Sequence, residues 1–261
     1  MAIPTFNGFS FNDTNFITER ITFKGVAERA VIRGKINRRE GVKLLNTEFG
    51  EKEVTLAGVV VASSASELQS LLDSMKMNLT AEEGPLILEQ GRTFTATMTA
   101  LAIPDEHYNQ SKAPFEVTFM CSNPFAEGSQ LSVTIPVQSG QTTISGRINI
   151  SGSYFARPTV TYTPPSNTGN TLIKRVDINH VPTGQTITVS GFNSGATGGL
   201  QYQNAVTVNY DTFASLDGST TINNSGAFSR WDPGNNDFTV IASGRAFPGG
   251  SITVTYSPRY L

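Results

Sequence analysis

One amphipathic helix, in a chain whose other segments have the pattern of β-strands, is the feature that most limits the fold of this sequence. Residues 64–79 begin with Ser64 and Glu67 at the spacing of a capping box, in which each side chain satisfies a backbone N–H of the first turn. Such a helix must bury its apolar face, so we expect it to lie on a sheet and to carry no chemistry of its own. The apolar stripe follows a 3.6-residue period and consists of Leu68, Leu71, Leu72, Met75 and Leu79.

Segments on both sides of the helix supply that sheet. Residues 51–62 include three successive valines, which predicts a strand buried on both faces. Residues 93–103 alternate threonine with apolar side chains, which predicts a strand with one solvent-exposed face and one buried face. In residues 115–121, Cys121 falls in phase with phenylalanine and valine, so a buried apolar role is favoured over that of a nucleophile. Residues 17–23 and 85–89 are further predicted strands.

A charged segment at residues 28–40 interrupts the strands of the first half. With Gly41 as its turn and residues 42–45 returning, it has the pattern of a hairpin arm that is too polar to bury. Such a run usually forms a solvated face, and docking to a neighbouring subunit is the alternative interpretation. On the second interpretation, charge reversal at Arg38 and Arg39 should weaken assembly. The candidate interface residues are Glu28, Arg29, Arg33, Lys35, Arg38, Arg39 and Glu40.

Composition divides the chain into two predicted domains, residues 1–127 and residues 128–261. Of the 19 basic and 21 acidic residues, 12 and 15 precede Glu127, and the second half is rich in Thr, Ser, Asn and Gly instead. Pro124 and Gly128 mark the junction between the two domains. The second half contains about eight short alternating runs, which predicts a β-sandwich or jelly roll. Ile187 with Val189, and Ile252 with Val254 and Tyr256, are its expected inward-facing sets.

The totals exclude several classes of protein. A net charge of −2 leaves no basic surplus for wrapping nucleic acid. The single cysteine excludes an internal disulfide framework. The sequence contains no apolar run of the roughly 20 residues that cross a bilayer. Because the first residues lack the pattern of a signal peptide, we expect synthesis in a cytoplasm.

A search for catalytic or metal-binding groups finds no convincing set. The two histidines, His107 and His180, have no partner at metal-ligand spacing, and the glycine-rich residues 191–199 lack the lysine of a phosphate loop. We therefore expect a structural or binding protein with no enzymatic activity, no cofactor and no metal. Trp231, the sole tryptophan, is either an anchor of the sandwich or a ring that stacks on a sugar.

The order of these features resembles the siphophage distal tail protein (Dit) family. The resemblance rests on residues 7–16, the charged hairpin, the Ser-x-Ser-Glu start of the single helix and the Phe-Glu-Val-Thr-Phe…Asn-Pro-Phe exit at 115–125. In the second half it rests on residues 218–220 and 232–236 and on the final strand at 252–256. Residues 243–250 separate two candidate strands and depart from the family's closing pattern.

The resemblance implies a mainly β fold. Its N-terminal domain is a tail-tube-like β-sandwich with one α-helix that forms a hexameric ring, and its C-terminal domain is an outward-projecting, galectin-like or jelly-roll β-sandwich. It further implies a hub in the virion, at the tip of a long non-contractile tail. The implied partners are the chain itself, the tail-tube protein and the tail-tip or baseplate proteins. DNA would pass through the ring without specific binding, and no membrane insertion is implied.

Two alternatives stay open. The first is a carbohydrate-binding adhesin whose stacking platform consists of Trp231 with Tyr202 or Tyr210. The second is the tail-tube subunit itself, which would be present in dozens of copies per particle instead of one ring.

Overall fold

The structure, a computed structural model, describes residues 3–23, 29–35, 42–80, 82–89, 91–104, 111–166, 171–192, 199–201 and 204–261, with the backbone alone over residues 23–48 and at Glu89. The chain divides into two compact units, Met1–Gly128 together with Leu261, and Ser129–Tyr260. The single described helix is shorter than a membrane span requires, and no other described segment is a helix that could cross a bilayer.

The first unit is a mainly antiparallel β structure with one helix. Seven strands follow the order β2-β1-β7-β8-β9-β6-β3, and β10 pairs with the start of β8. The hairpin of β4 and β5 forms a separate two-stranded sheet. The elements are β1 (Thr5–Phe6), β2 (Phe9–Ser10), β3 (Phe16–Phe23), β4 (Arg29–Lys35), β5 (Val42–Phe49), β6 (Lys52–Val61), α1 (Ala65–Leu79), β7 (Gly84–Glu89), β8 (Arg92–Ala102), β9 (Lys112–Cys121) and β10 (Ala126–Gly128).

The predicted helix is confirmed, and its cap differs from the expected one in a single detail. Ser64 is the N-cap, and its hydroxyl accepts from the Glu67 N–H at 3.2 Å. The Glu67 carboxylate accepts from the N–H and the hydroxyl of Ser63 instead of from the N–H of Ser64. These bonds lower the pKa of Glu67, the side-chain bond most. The buried face of α1 consists of Leu68, Leu72, Met75 and Leu79.

Strands β6 and β9 pair over their whole length and form the centre of this unit. Every second side chain of β6 is buried, so the expectation of burial on both faces is wrong for Val59 and Val61, which are half-buried. Five side chains of β9 alternate into the core as predicted: Ala113, Phe115, Val117, Phe119 and Cys121.

The alternation predicted for residues 93–103 holds only in the first half of β8. Phe94 and Ala96 are buried, whereas Ala100 is exposed. The cause is an irregularity in the pairing with β9 between Met98 and Ala100. An extra residue in one strand reverses the faces beyond it, because side chains alternate with a period of two.

The second unit is the predicted β-sandwich. Its six-stranded sheet has the order β11-β21-β13-β16-β17-β18 and its five-stranded sheet the order β12-β20-β14-β15-β19. The strands are β11 (Leu131–Val137), β12 (Thr143–Ile150), β13 (Thr159–Thr163), β14 (Arg175–His180), β15 (Gln185–Ser190), β16 (Val206–Asn209), β17 (Ala214–Asp217), β18 (Thr220–Thr221), β19 (Asn223–Gly226), β20 (Gly234–Ser243), β21 (Gly250–Tyr256) and β22 (Arg259–Tyr260).

One apolar core lies between these two sheets. The predicted inward sets, Ile187 with Val189 and Ile252 with Val254 and Tyr256, are all buried in it. Gly146 of β12 is a point of close approach, since a Cβ there would lie 2.3 Å from Cδ1 of Ile135. Strands β17 to β19 were not predicted, because residues 214–226 are mostly Ser, Thr, Asn and Gly, which carry little strand signal.

Candidate assembly surface

Strand β3 is an open edge of the first unit. It pairs with β6, and within the described residues no strand lies on its other side. Most of its side chains are exposed, including two large apolar ones, Ile17 at 44% and Ile21 at 36%. An exposed apolar edge strand offers unpaired N–H and C=O groups to another chain.

The second half of β8 is another open edge. Residues 92–96 pair with β7, whereas from Thr97 onward β8 pairs with β9 alone among the described strands. Ala100 and Ala102 on this edge are exposed. Small side chains at this position let a neighbouring backbone approach closely.

The two open edges run in opposite directions. Strands β3, β6, β9 and the second half of β8 are successive antiparallel neighbours. If the β3 edge of one copy lies beside the β8 edge of the next, the two strands are antiparallel, and the alternation continues from copy to copy. This is a heterologous contact, the kind from which a closed ring is built.

The outer face of these four strands carries little net charge. The Arg20 guanidinium lies 3.5 Å from the Glu116 carboxylate across Ala57, and the hydroxyls of Thr55 and Thr118 lie 3.3 Å apart. Arg20 and Glu116 are both more than half exposed, so this ion pair contributes little to stability. Lys112 of β9 and Glu53 of β6 add one further charge of each sign to this face.

The charged arm is described in part. Strands β4 and β5 pair antiparallel, with an irregularity between Ile32 and Arg33, so the predicted hairpin is present. Glu28, Arg38, Arg39 and Glu40 lie outside the described residues, and for Arg29, Arg33 and Lys35 the structure describes the backbone alone. Their role at an interface stays a prediction.

The aromatic residues proposed for sugar stacking are core residues, which corrects that hypothesis. Trp231 is fully buried and Tyr210 is 1% exposed. Their rings lie 6.0 Å apart, and burial raises the pKa of the Tyr210 hydroxyl. Neither ring presents a face on which a sugar could stack. Tyr202 lies outside the described residues.

His180 is buried against Trp231, and its hydrogen bonds determine its tautomer. Asn236 donates through Nδ2 to the carbonyls of Asp232 and Gly234, at 2.8 and 2.9 Å, which leaves its Oδ1 to accept from His180 Nε2 at 2.9 Å. Nδ1 of His180 therefore accepts from the Thr183 hydroxyl, at 2.8 Å. Burial is the main cause that lowers the pKa of His180. This histidine is a structural residue of the core.

The remaining candidates for chemistry do not form a set. Burial raises the pKa of the Cys121 thiol to about 11, so the thiol is protonated near neutral pH. Within the described residues, no group of three or more metal-ligating side chains is close enough to hold an ion. His107 lies outside the described residues.

Comparison with solved structures finds this fold in a phage protein. The crystal structure of the SPP1 Dit protein, described as a paradigm of the hub adsorption apparatus in phages that infect Gram-positive bacteria, matches with a TM-score of 0.70 and 14% identity over 99% of each chain. Two structures of the phage P2 baseplate, with calcium and with strontium, match at 10% identity with TM-scores of 0.40 and 0.43. They cover 91% and 94% of this chain and 90% and 91% of theirs.

No protein-family model and no curated protein sequence matches the chain. The identity to SPP1 Dit is low, but the match extends over nearly all of both chains, so it applies to both units. The chain therefore has the fold of a phage distal tail (Dit) protein.

Proposed function

We propose that this protein is a structural component of a phage tail, forming a hexameric ring at the distal end of a long non-contractile tail. The ring joins the tail tube to the tail-tip or baseplate proteins. The observation that carries the proposal is the match to SPP1 Dit over 99% of both chains. The chain acts by assembly and not by catalysis, and it requires no cofactor.

The two open edges of the first unit support the ring. Because β3 and the second half of β8 run in opposite directions, copies placed head to tail extend one antiparallel sheet. The exposed Ile17 and Ile21 would be covered by the neighbouring copy, which removes the aggregation risk of a free edge.

The outer face of β3, β6, β9 and β8 suits the lining of a channel for DNA. A channel through which DNA slides must not hold the phosphates, and phosphate affinity comes mainly from unpaired Lys and Arg. On this face Arg20 is paired with Glu116, and Lys112 is the one further basic side chain among the described residues of β6 and β9. Most of the side chains around them are small or hydroxylated. The net charge of −2 agrees with transient passage.

The experiment is a measurement of oligomeric state with matched edge variants. Light scattering of the purified full-length chain should give the mass of six copies. Ile17→Lys with Ile21→Lys should yield smaller species, because charges on an edge oppose strand pairing. Met77→Lys is the control, since Met77 is 72% exposed on the outer face of α1. It should leave the hexamer intact.

Each outcome decides a separate point. A chain that is monomeric at high concentration and absent from purified virions would overturn the proposed function. A ring that survives both lysine substitutions on β3 would show that this edge is not the interface. Copy number separates a hub from a tube subunit, since one ring per particle identifies the hub and dozens identify the tube.

A further inference from the structure

The loop between β16 and β17 exposes a phenylalanine at the cost of backbone strain. The Asn209 side chain accepts from the N–H groups of Asp211 and Thr212, at 2.8 and 3.0 Å, and so holds the loop in one conformation. Phe213 follows with φ 57°, in the left-handed region that usually holds Gly or Asn. Its ring is 52% exposed. Strain of this kind persists only where the surrounding structure fixes it, and it is concentrated at functional sites.

The neighbouring side chains hold this ring in place. The Arg157 guanidinium lies 5.2 Å from the centre of the Phe213 ring, and the Phe228 ring packs at 5.3 Å and 87°. The guanidinium groups of Arg157 and Arg230 lie 5.7 and 5.6 Å from the Phe155 ring. We call these five residues the Phe213 patch. These side chains hold one another in place in the unbound protein, and this preorganisation lowers the entropy cost of binding a partner.

The arginines around the patch lie beside aspartates. Asp211 lies 3.2 Å from Arg259 and 3.8 Å from Arg157, and Arg230 lies 3.6 Å from Asp232. The side chains of Arg157 and Arg230 are nevertheless 35% and 65% exposed, so both guanidinium groups remain accessible to a partner. A partner that presents carboxylates to these guanidinium groups is therefore favoured by electrostatic complementarity.

We propose that the Phe213 patch binds a different protein of the tail, which presents an apolar socket to Phe213 and carboxylates to Arg157 and Arg230. This inference rests on the proposed function, because it places the partner in the assembled tail. Phe and Arg around a preordered centre have the composition of an interaction hot spot. A saccharide fits this surface less well, because a sugar stacks on an open aromatic face. Guanidinium groups already lie over the Phe155 and Phe213 rings. The Phe213 and Phe228 rings are nearly perpendicular, so they do not form one flat platform.

Cysteine labelling tests this proposal in the full chain. The sole native cysteine, Cys121, is buried, so an introduced surface cysteine is the accessible thiol. Thr212→Cys places a thiol beside Phe213 and keeps the ring, and Val181→Cys provides a control on another turn, where Val181 is 50% exposed. Maleimide should label both variants quickly in the free protein. In purified virions Thr212→Cys should react at least about tenfold more slowly, because reactivity follows exposure, and Val181→Cys should be unchanged.

A benzophenone maleimide on Thr212→Cys then identifies the partner. A crosslink to a different tail protein, weakened when Phe213→Ala is added, supports the proposal. A crosslink to another copy of this chain overturns it, as does equal protection of both cysteines or of neither. Fast labelling in virions that slows only when purified host cell-wall polysaccharide is added also overturns it, in favour of a saccharide. Absence of the chain from virions would instead contradict the proposed function.

Discussion

His180 stacks on Trp231 in the core of the second unit, with ring centroids 4.9 Å apart and ring planes inclined by 14°. Both nitrogens of this imidazole are already hydrogen-bonded, to Thr183 and to Asn236. Protonation would place a second N–H on the ring in a buried position. Protonated Nδ1 can only donate, so the Thr183 hydroxyl, which donates to Nδ1 in the neutral form, would have to rotate and accept instead. The neutral form of His180 is therefore part of the folded state.

We expect the free energy of unfolding to fall as the pH drops below 6.5, the ordinary pKa of histidine. Burial lowers the pKa of His180 in the folded chain, against the opposing effects of the Asn236 hydrogen bond and the Asp232 charge. Below this pH the unfolded chain binds a proton that the folded chain does not, so the stability present above it is lost on acidification. Urea unfolding at about pH 7.5 and about pH 5.5, followed by Trp231 fluorescence, measures the change.

The matched variant is His180→Gln, which cannot titrate. Its unfolding free energy should depend less steeply on pH than that of the natural chain, whatever its absolute stability. Equal slopes for the two proteins would assign the pH dependence to other groups.

Removal of the helix cap should destabilise the first unit. The Ser64 hydroxyl accepts from the Glu67 N–H, so Ser64→Ala leaves that donor without its partner and should cost about 1 kcal/mol. Ser70→Ala is the control, because Ser70 is exposed in the middle of α1 and bonds only to the Ser66 carbonyl of its own helix. Urea denaturation compares the two, and a Ser70 variant that loses as much stability would contradict the capping role.

A methyl group at Gly58 should disturb the contact between β6 and the edge strand β3. A Cβ at this position would lie 2.2 Å from the Ile17 carbonyl oxygen and 2.9 Å from the Phe115 ring. We expect Gly58→Ala to cost about 2 kcal/mol and to weaken self-association, since Ile17 belongs to the proposed interface. Gly8→Ala, with φ 84° and open space around it, should cost only about 1 kcal/mol. Equal urea midpoints for the two variants would contradict this reasoning.

The strain at Phe213 can be measured with two substitutions that both remove the ring. Asn tolerates the left-handed region and Ala does not, so Phe213→Asn should be more stable than Phe213→Ala by about 1 kcal/mol. Thermal or urea unfolding followed by Trp231 fluorescence gives the difference. Equal stability would mean that the loop relaxes when the ring is removed.

The features that the sequence predicted well are those with a local cause. The helix at α1 follows from its cap and its apolar period, both contained within residues 64–79. The strand β9 and the pair Ile187 and Val189 follow from simple alternation. The sequence does not predict the half-buried outer side of β6 or the reversed faces in the second half of β8, because both depend on which strands pair and where their register shifts.

The candidate sites show the same division. The charged arm was found from composition, although its interface role stays a prediction. The sequence is compatible with Trp231 as a sugar-stacking residue, because a lone tryptophan gives no sign of its burial. The rings that pack on it come from His180, Tyr210 and Phe238, which are distant along the chain. The Phe213 patch was not identified from the sequence, since its rings and guanidinium groups lie in three separate loops.

The sequence by itself determined one helix, two strand-rich halves and the alternation that buries one face of most strands. Those features arise from interactions between residues a few positions apart. Only the tertiary structure decided which edges stay open, that Trp231 and Tyr210 are buried and that Phe213 is exposed. Each of these depends on neighbours that are distant along the chain and meet only when the sheets form.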